Sequence, residues 1–550
     1  MPTIVLNKGV FERLVGKRLP LERLKDRIAM LGTDLEKIEA NEIEVEVFPD
    51  RPDMLSEQGF ARAFSSFIGV KKGLRRYKVT SSKERVIIDG SVKNVRPYTA
   101  CAIVRNIKFN DEMIKEAIQM QEKLHTTYGR NRKRVAIGIY PFGAIKSPIR
   151  FMAKEPAEIR FRPLEAKEEM TALQILSQHP AGREYGHLLE GKKKFPIFID
   201  SNNEILSMPP IINSYTTGRI TEKTREVFIE CSGFDFEVLK KCLNMIVTAF
   251  ADMGGDIYSM ELKYGDKKFV TPDLEPEKRD IDIRYLNKLL GFNLNEKEVK
   301  RYLERMGYGY EDKKALVPAY RADVLHEVDL IEDVAIAYGY ENFKAELPKI
   351  ATIAEEAPLE RFKNKVTEML VGLGLLEVKT YHLSNKENQC RKMDLDIELV
   401  ELQNALTSDY DVMRAWIIPC LLEVLQNNKH REYPQSIFDI GVVFKKGAKT
   451  ETKIGEAARV AVAISDKSVD FTKIKQIADY LFRMLNIEYS VEETYHGSFI
   501  GGRVGRIIAG EKIGYIGEIH PKVLSAWHIE MPVAAMEINL SDLFNVIKRS

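Results

Sequence analysis

Between Val317 and Phe343 the chain concentrates negative charge: Asp323, Glu327, Asp329, Glu332, Asp333 and Glu341 stand against a single base, Arg321. Within this stretch Val328, Ile331, Val334, Ala335 and Tyr338 recur at helical spacing. The spacing predicts a helix from about Val324 to Tyr338 with that stripe on a core. Asp329, Glu332 and Asp333 fall at i, i+3 and i+4 and share one polar face, with Asp323 at the helix start. Like charges so placed repel by ~0.2–0.5 kcal/mol per exposed pair. Two readings stay open on pattern alone. Capping and solvation account for Asp323 and Glu327, because acids suit a first turn. A hard cation with oxygen ligands, Mg²⁺ above all, accounts better for the acids further along.

The rest of the sequence sets the frame. A chain of 550 residues predicts several domains and more than one core. The net charge of +2 neither announces nor excludes nucleic acid, so only local patches report it. Five cysteines, none in a CxxC pair, argue against a disulfide scaffold and a zinc site. The opening MPTIVLNKGVF lacks a signal-peptide pattern, and no apolar run is long enough to span a membrane. A cytoplasmic protein without a membrane partner is expected.

Taken in order, an α+β multidomain chain emerges. Residues 1–90 read as a small α/β domain containing the turn Pro49-Asp50-Arg51-Pro52-Asp53. Residues 91–270 read as a larger mixed α/β domain. Its helix Met113–Tyr128 runs into Arg130, Arg132, Lys133 and Arg134, a solvated run or a phosphate contact. Pro209 and Pro210 cannot both sit inside a paired strand and are expected to form a wall or a mouth. Glu230, Ser232 and Asp235 gather round Gly233 at a strand end, where binding sites are frequent. Residues 271–346 read as a helical winged module, with Ile281–Ile283 as a short strand and Gly309–Val317 as a hairpin. After the linker Lys344–Leu359, residues 359–550 read as an antiparallel sheet with helices, including a strand over Glu377–Leu383.

With RADVLHEVDLIEDVAIAYGY (Arg321–Tyr340), SMPPIINS (Ser207–Ser214), IECSGFD (Ile229–Asp235), FDIGVVF (Phe438–Phe444) and IGEIHP (Ile516–Pro521) in this order, the chain resembles the beta subunits of phenylalanyl-tRNA synthetase of archaeal and eukaryotic type. The resemblance implies an α₂β₂ heterotetramer that charges tRNA(Phe), with ATP and phenylalanine used on the alpha subunit. It implies Mg²⁺ held near the alpha–beta border by Asp323, Asp329, Glu332 and Asp333. It also implies that 91–270 is an editing domain (B3/B4-like), that 271–346 is B5-like, and that 359–550 is a class II-like sheet without a working site.

In that sheet Arg414 is expected to lack the acidic pairing of a working site, and Gly501-Gly502-Arg503 runs into a strand instead of a helix. Glu360–Val371 and Phe438–Val443 are expected to pack on alpha. The editing pocket, which would hydrolyse tyrosyl-tRNA, is implied at Ser207, Pro209, Asn213, Glu230, Ser232, Gly233 and Asp235, with Pro210 shaping it. Arg130, Arg132, Lys133 and Arg134 become candidate tRNA-backbone contacts. The bacterial tRNA-binding and anticodon-binding additions are not expected. An inert pocket on a binding scaffold is the alternative.

Overall fold

Strands Tyr98–Arg105 and Val227–Gly233 are buried along almost their whole length, as central strands covered on both faces must be. In the computed structural model, which describes residues 2–348, 353–447 and 449–549, they lie side by side within a ten-stranded sheet. The sheet runs Ile212–Asn213, Ile205–Met208, Phe195–Ile199, Ile149–Lys154, Val79–Ile88, Asp256–Tyr264, Tyr98–Arg105, Val227–Gly233 and Val135–Pro141, with Lys267–Thr271 alongside Asp256–Tyr264. Most pairs are antiparallel, but Val79–Ile88 pairs in parallel with both neighbours. That strand falls within the residues read as the first domain, yet it is an inner member of the large sheet.

Two compact units divide the chain, 1–347 and 348–550. In the first, a single apolar core runs from Ile4 through Phe250 to Ala337 and so joins three regions that the sequence presents separately. The helix Phe236–Asp252 is buried against this side of the sheet, capped by Asp235, whose side chain accepts from the Glu237 and Val238 amides. A three-stranded sheet, Thr3–Asn7, Glu42–Glu46 and Asp34–Glu39, contributes Ile4, Leu6, Ile43 and Val45 to the same core. Further along, Glu277–Asp280, Lys314–Val317 and Gly309–Glu311 form a small sheet beside helices Ile283–Leu290 and Glu296–Arg305. The strand expected at Ile281–Ile283 is a helix start instead: Asp282 caps it by accepting from the Arg284 amide at 2.8 Å.

The second unit is built on a seven-stranded sheet ordered Leu376–Glu377, Gln435–Lys446, Ile454–Ser465, Val533–Asn539, Glu511–Ile519, Phe499–Ala509 and Ser490–Glu493. Gly501, Gly502 and Arg503 lie inside the strand Phe499–Ala509, where its register shifts. The strand expected over Glu377–Leu383 is two short ones, Leu376–Glu377 and Leu383–Ser384, in different sheets. Thr380 between them is drawn to a polar site instead, its hydroxyl 2.6 Å from Asp439 Oδ2 and 2.7 Å from Arg414 Nη1. Part of the expected linker, residues 349–352, lies outside the described residues; Pro358 opens the helix Pro358–Gly372. No helix among the described residues is long and apolar enough to cross a membrane.

Candidate functional site

The large sheet nearly closes on itself. Its two rims, Val135–Pro141 on one side and Ile205–Asn213 on the other, meet through side chains. The Tyr140 hydroxyl lies 2.8 Å from Ser207 Oγ, 3.4 Å from Asn213 Oδ1 and 3.2 Å from Glu230 Oε1. Between the rims is a cavity of about 750 Å³ whose lining includes Ile137, Ile139, Pro209, Pro210, Asn213 and Glu230. A helix, Asp111–Thr126, roofs it with Gln121, Glu122 and His125. The exposed rim of Val135–Pro141 is answered by that helix: the Ile137 amide donates to His125 Nε2 at 2.8 Å, and Gln121 Nε2 donates to the Ile137 carbonyl at 3.0 Å. His125 is thereby committed to structure, and burial holds its pKa down.

Glu230 is the chemically distinctive group. Its Oε2 is buried and has no hydrogen-bond partner among the described residues. Burial pushes its pKa up to about 8, against the opposing pull of Arg96, Tyr140 and Ser232. At neutral pH it is therefore mainly a carboxylic acid, able to donate as well as accept. Arg96 sits behind it, 3 % exposed, with Nε 3.1 Å from Ser232 Oγ and Nη2 2.5 Å from the Ser232 carbonyl. Burial brings this guanidinium down to about 10, with Glu230 acting the other way.

The sequence-predicted residues divide here. Pro209, Asn213 and Glu230 line the cavity, while Ser207 is bonded to Tyr140, which also meets Asn213 and Glu230. Ser232 is turned to Arg96, one layer behind. Asp235 is exposed and spent on the helix cap, because two unpaired amides at a helix start outcompete a distant pocket. Gly233 allows close approach: a Cβ there would overlap the Arg134 carbonyl oxygen. Of the basic run, Arg130 and Lys133 are exposed. Arg132, expected to face outward, turns into the cavity wall. Its Nη1 donates to the Ile211 carbonyl at 2.8 Å, its Nη2 lies 3.2 Å from Glu122 Oε1, and its guanidinium sits 4.1 Å from the Tyr185 ring centre. Arg134 lies 5.0 Å from the Tyr128 ring centre. Tyr140, Arg96, His125 and Gln121 were not singled out by sequence reasoning. Tyr140 is hidden in an apolar strand pattern, and the other three act across distances that no local pattern records.

The acidic helix begins later than expected, at Glu327, with His326 as its cap and Asp329 closing the box: Asp329 Oδ2 accepts from the Leu325 and His326 amides, both at 2.7 Å. Asp333 is not on the polar face. It is 5 % exposed, 2.8 Å from Arg321 Nη2, and hydrogen-bonded by Tyr308. Asp323 lies outside the helix and takes Arg321 in two bonds, at 2.8 and 2.6 Å. Burial alone would raise the Asp323 pKa, but Arg321 outweighs it and the net direction is down. Val328, expected in the buried stripe, is 37 % exposed. Glu332 is exposed, its pKa raised by partial burial and by Asp333, Asp50, Asp329 and Asp323. Among the described residues no cluster of His, Cys, Asp or Glu is arranged to hold a metal. As arranged, the four acids do not converge on a Mg²⁺ ligand set: Asp323 and Asp333 share one arginine, and Asp329 turns one oxygen to two backbone amides.

In the second unit Arg414, expected to lack the adjacent acidic pairing of a working site, is paired with an acid distant in sequence. Its Nη1 is 3.1 Å from Asp439 Oδ2, and its Nε donates to the Val442 carbonyl at 2.8 Å. Both side chains are buried, so the pair is sealed from substrate. The strand Gln435–Lys446, expected to pack on a partner through Phe438–Val443, is paired along its length with Ile454–Ser465 and with Leu376–Glu377 only at Ile437 and Phe438, and Phe438, Ile440 and Val443 fill the unit's own cores.

Residues 344–540 match the family described as phenylalanyl tRNA synthetase beta chain CLM domain, and residues 279–340 match the tRNA synthetase B5 domain. The chain is 42 % identical to the phenylalanine–tRNA ligase beta subunit of Pyrococcus abyssi, covering 99 % of this chain and 100 % of that one. It is 37 % identical to the Archaeoglobus fulgidus beta subunit, covering 99 % of each. Among solved structures it is similar to an N-terminal fragment of the phenylalanyl-tRNA synthetase beta subunit of Pyrococcus horikoshii, with a TM-score of 0.59 and 41 % identity over 61 % of this chain and 99 % of the fragment.

Proposed function

Since the chain belongs to the archaeal-type beta-subunit family of phenylalanyl-tRNA synthetase and is a subunit of that ligase, we propose that it supports aminoacylation by an alpha subunit and hydrolyses tyrosyl-tRNA(Phe) in the cavity between the sheet rims. The observation that carries the editing role is Glu230, a buried acid with one unpartnered oxygen at a cavity wall. Tyrosine differs from phenylalanine by one hydroxyl, which an apolar aminoacylation pocket rejects poorly. A second pocket that rewards the hydroxyl supplies the missing discrimination. Protonated Glu230 donates to that hydroxyl or accepts from it, with Tyr140, Ser207 and Asn213 fixing its orientation. No nucleophile–base pair stands among these four, so the ester is cleaved by a positioned water.

In the same reading the chain assembles as an α₂β₂ heterotetramer, ATP is used on alpha, and Arg130 and Lys133 contact the tRNA backbone. The alpha subunit docks on the segment 371–410, where Leu376, Tyr381, Leu406 and Tyr410 are exposed and the Tyr381 and Tyr410 rings lie 6.1 Å apart. Deacylation of tyrosyl-tRNA(Phe) by the purified complex tests the pocket. Glu230→Ala is expected to slow it ~5–150-fold, matching the ~1–3 kcal/mol of an unmet polar partner, with phenylalanylation unchanged. Equal deacylation by parent and variant would leave an inert scaffold. The donor role of Glu230 fades as pH rises through about 8, and Glu230→Gln should remove that limb of the pH profile. The sign for stability is the same. A carboxyl raised from 4.5 to about 8 contributes fully below pH 4.5, and the contribution is lost as pH climbs through 8.

A further inference from the structure

The seven-stranded sheet of the second unit has two unequal faces. One is filled by Pro358–Gly372, Phe471–Met484 and Leu540–Arg549, with Phe362, Ile474 and Leu543 buried against it. The other is covered only in part, by Ile418–Asn427 and Pro521–Ala526. Beside that cover lies a second cavity, of about 740 Å³, in the size range of small-ligand sites.

Strand register decides what points into it. Arg506 stands opposite Tyr515, and Tyr515 stands opposite Glu537, so the three share one face. Glu537 is fully engaged. Its Oε1 is 2.9 Å from Arg459 Nη1, and its Oε2 accepts from the Ile417 and Ile418 amides at 2.8 and 3.0 Å, at the start of a helix with no side-chain cap of its own. Asp542 accepts from Asn539 at 2.5 Å, and Lys446 is 3.6 Å from Glu398.

Arg506 is different. Its guanidinium lies 4.1 Å from the Tyr515 ring centre, and its Nη2 donates to the Lys512 carbonyl at 3.3 Å. Its Nε is buried without a partner, and among the described residues it forms no ion pair, not even with Glu492 opposite it on the outer strand. Next to it is an aromatic wall. The His496 ring lies 4.7 Å from Tyr515 and 5.5 Å from Trp416. His496 Nδ1 accepts from the Ser498 amide, which leaves its proton on Nε2. Burial and Arg506 push its pKa to about 4, so it adds no charge at neutral pH. The cavity thus offers one guanidinium with no ion pair among the described residues, beside four aromatic side chains, Trp416, Phe444, His496 and Tyr515; Lys445, Lys512 and the exposed Glu456 also line it.

We propose that this cleft binds a small aromatic anion, with its ring against Trp416, His496 and Tyr515 and its anionic group on Arg506. Stacking and charge-assisted hydrogen bonding are the two interactions these side chains supply. A nucleoside monophosphate and an aromatic amino acid both carry that chemistry.

Equilibrium dialysis of the intact alpha–beta complex with AMP, phenylalanine or inorganic phosphate, comparing parent with Arg506→Met, tests it. Sites on alpha contribute equally to both samples and cancel. The expected result is one site per beta chain, for AMP or for phenylalanine, that weakens at least tenfold in the variant while phenylalanylation stays unchanged. Whichever of the two responds names the source. Arg506→Lys, which keeps the charge but not the flat contact with Tyr515, should fall between parent and Arg506→Met, separating loss of a ligand contact from loss of fold. Identical binding of both ring ligands by parent and Arg506→Met overturns the proposal. So does a response confined to phosphate, since the ring would then contribute nothing.

Discussion

Arg321 shows how one side chain decides what its neighbours can do. Buried, it lies within ion-pair distance of Asp323 and Asp333, while Tyr308 bonds Asp333 from another side. Repulsion among the acids is thus relieved inside the protein. Breaking a buried pair leaves an uncompensated charge and costs ~3–5 kcal/mol. Arg321→Met is expected to lower the urea midpoint accordingly. Added Mg²⁺ should restore part of the loss in the variant, by taking over Asp323 and Asp333, and should leave the parent midpoint unmoved. A parent stabilised by Mg²⁺ as strongly as the variant would show that arginine is not the compensating charge. The sequence made the excess of acids plain but not their relief. Arg321 is two residues from Asp323 and twelve from Asp333, and nothing in the spacing says that it turns inward.

At the scale of an element, the strand Gln435–Lys446 is shaped by a residue outside it. Arg414 lies across the strand, bonded to Asp439 and to the Val442 carbonyl, and a Cβ on Gly441 would overlap its Nη2. Asp and Gly in FDIGVVF are therefore a socket for one guanidinium. Gly441→Ala should destabilise by ~1–3 kcal/mol through overpacking, read as a lower unfolding midpoint. In an Arg414→Met background the same change should cost less, because the clash is with the guanidinium. Equal costs in the two backgrounds would refute the socket. Regular elements such as Phe236–Asp252 and Glu296–Arg305 were legible because helical periodicity and caps are local signals. The break in the expected Glu377–Leu383 strand was not, because Thr380 answers to Asp439 and Arg414, far off in sequence. The motifs picked out Pro209, Asn213 and Glu230, which line the cavity, together with Ser207, Ser232, Gly233 and Asp235, which do not. Their division into lining residues, a helix cap and a buried support needed the fold.

For the whole molecule, the proposed docking of alpha on 371–410 rests on the exposure of apolar side chains there. Leu376 is 67 % exposed and Tyr381 77 %. Leu376→Asp with Tyr381→Asp should abolish co-purification with alpha and leave the circular dichroism of the beta chain unchanged; retained co-purification would place the interface elsewhere. The near-closure of the ten-stranded sheet has its own consequence. One rim ends in a strand of two residues, Ile212–Asn213. On the other, the Ile137 amide and carbonyl are already claimed by His125 and Gln121. An unfolded neighbour in a crowded cell therefore meets one very short rim and one that is partly claimed already, which disfavours strand addition beside the cavity mouth.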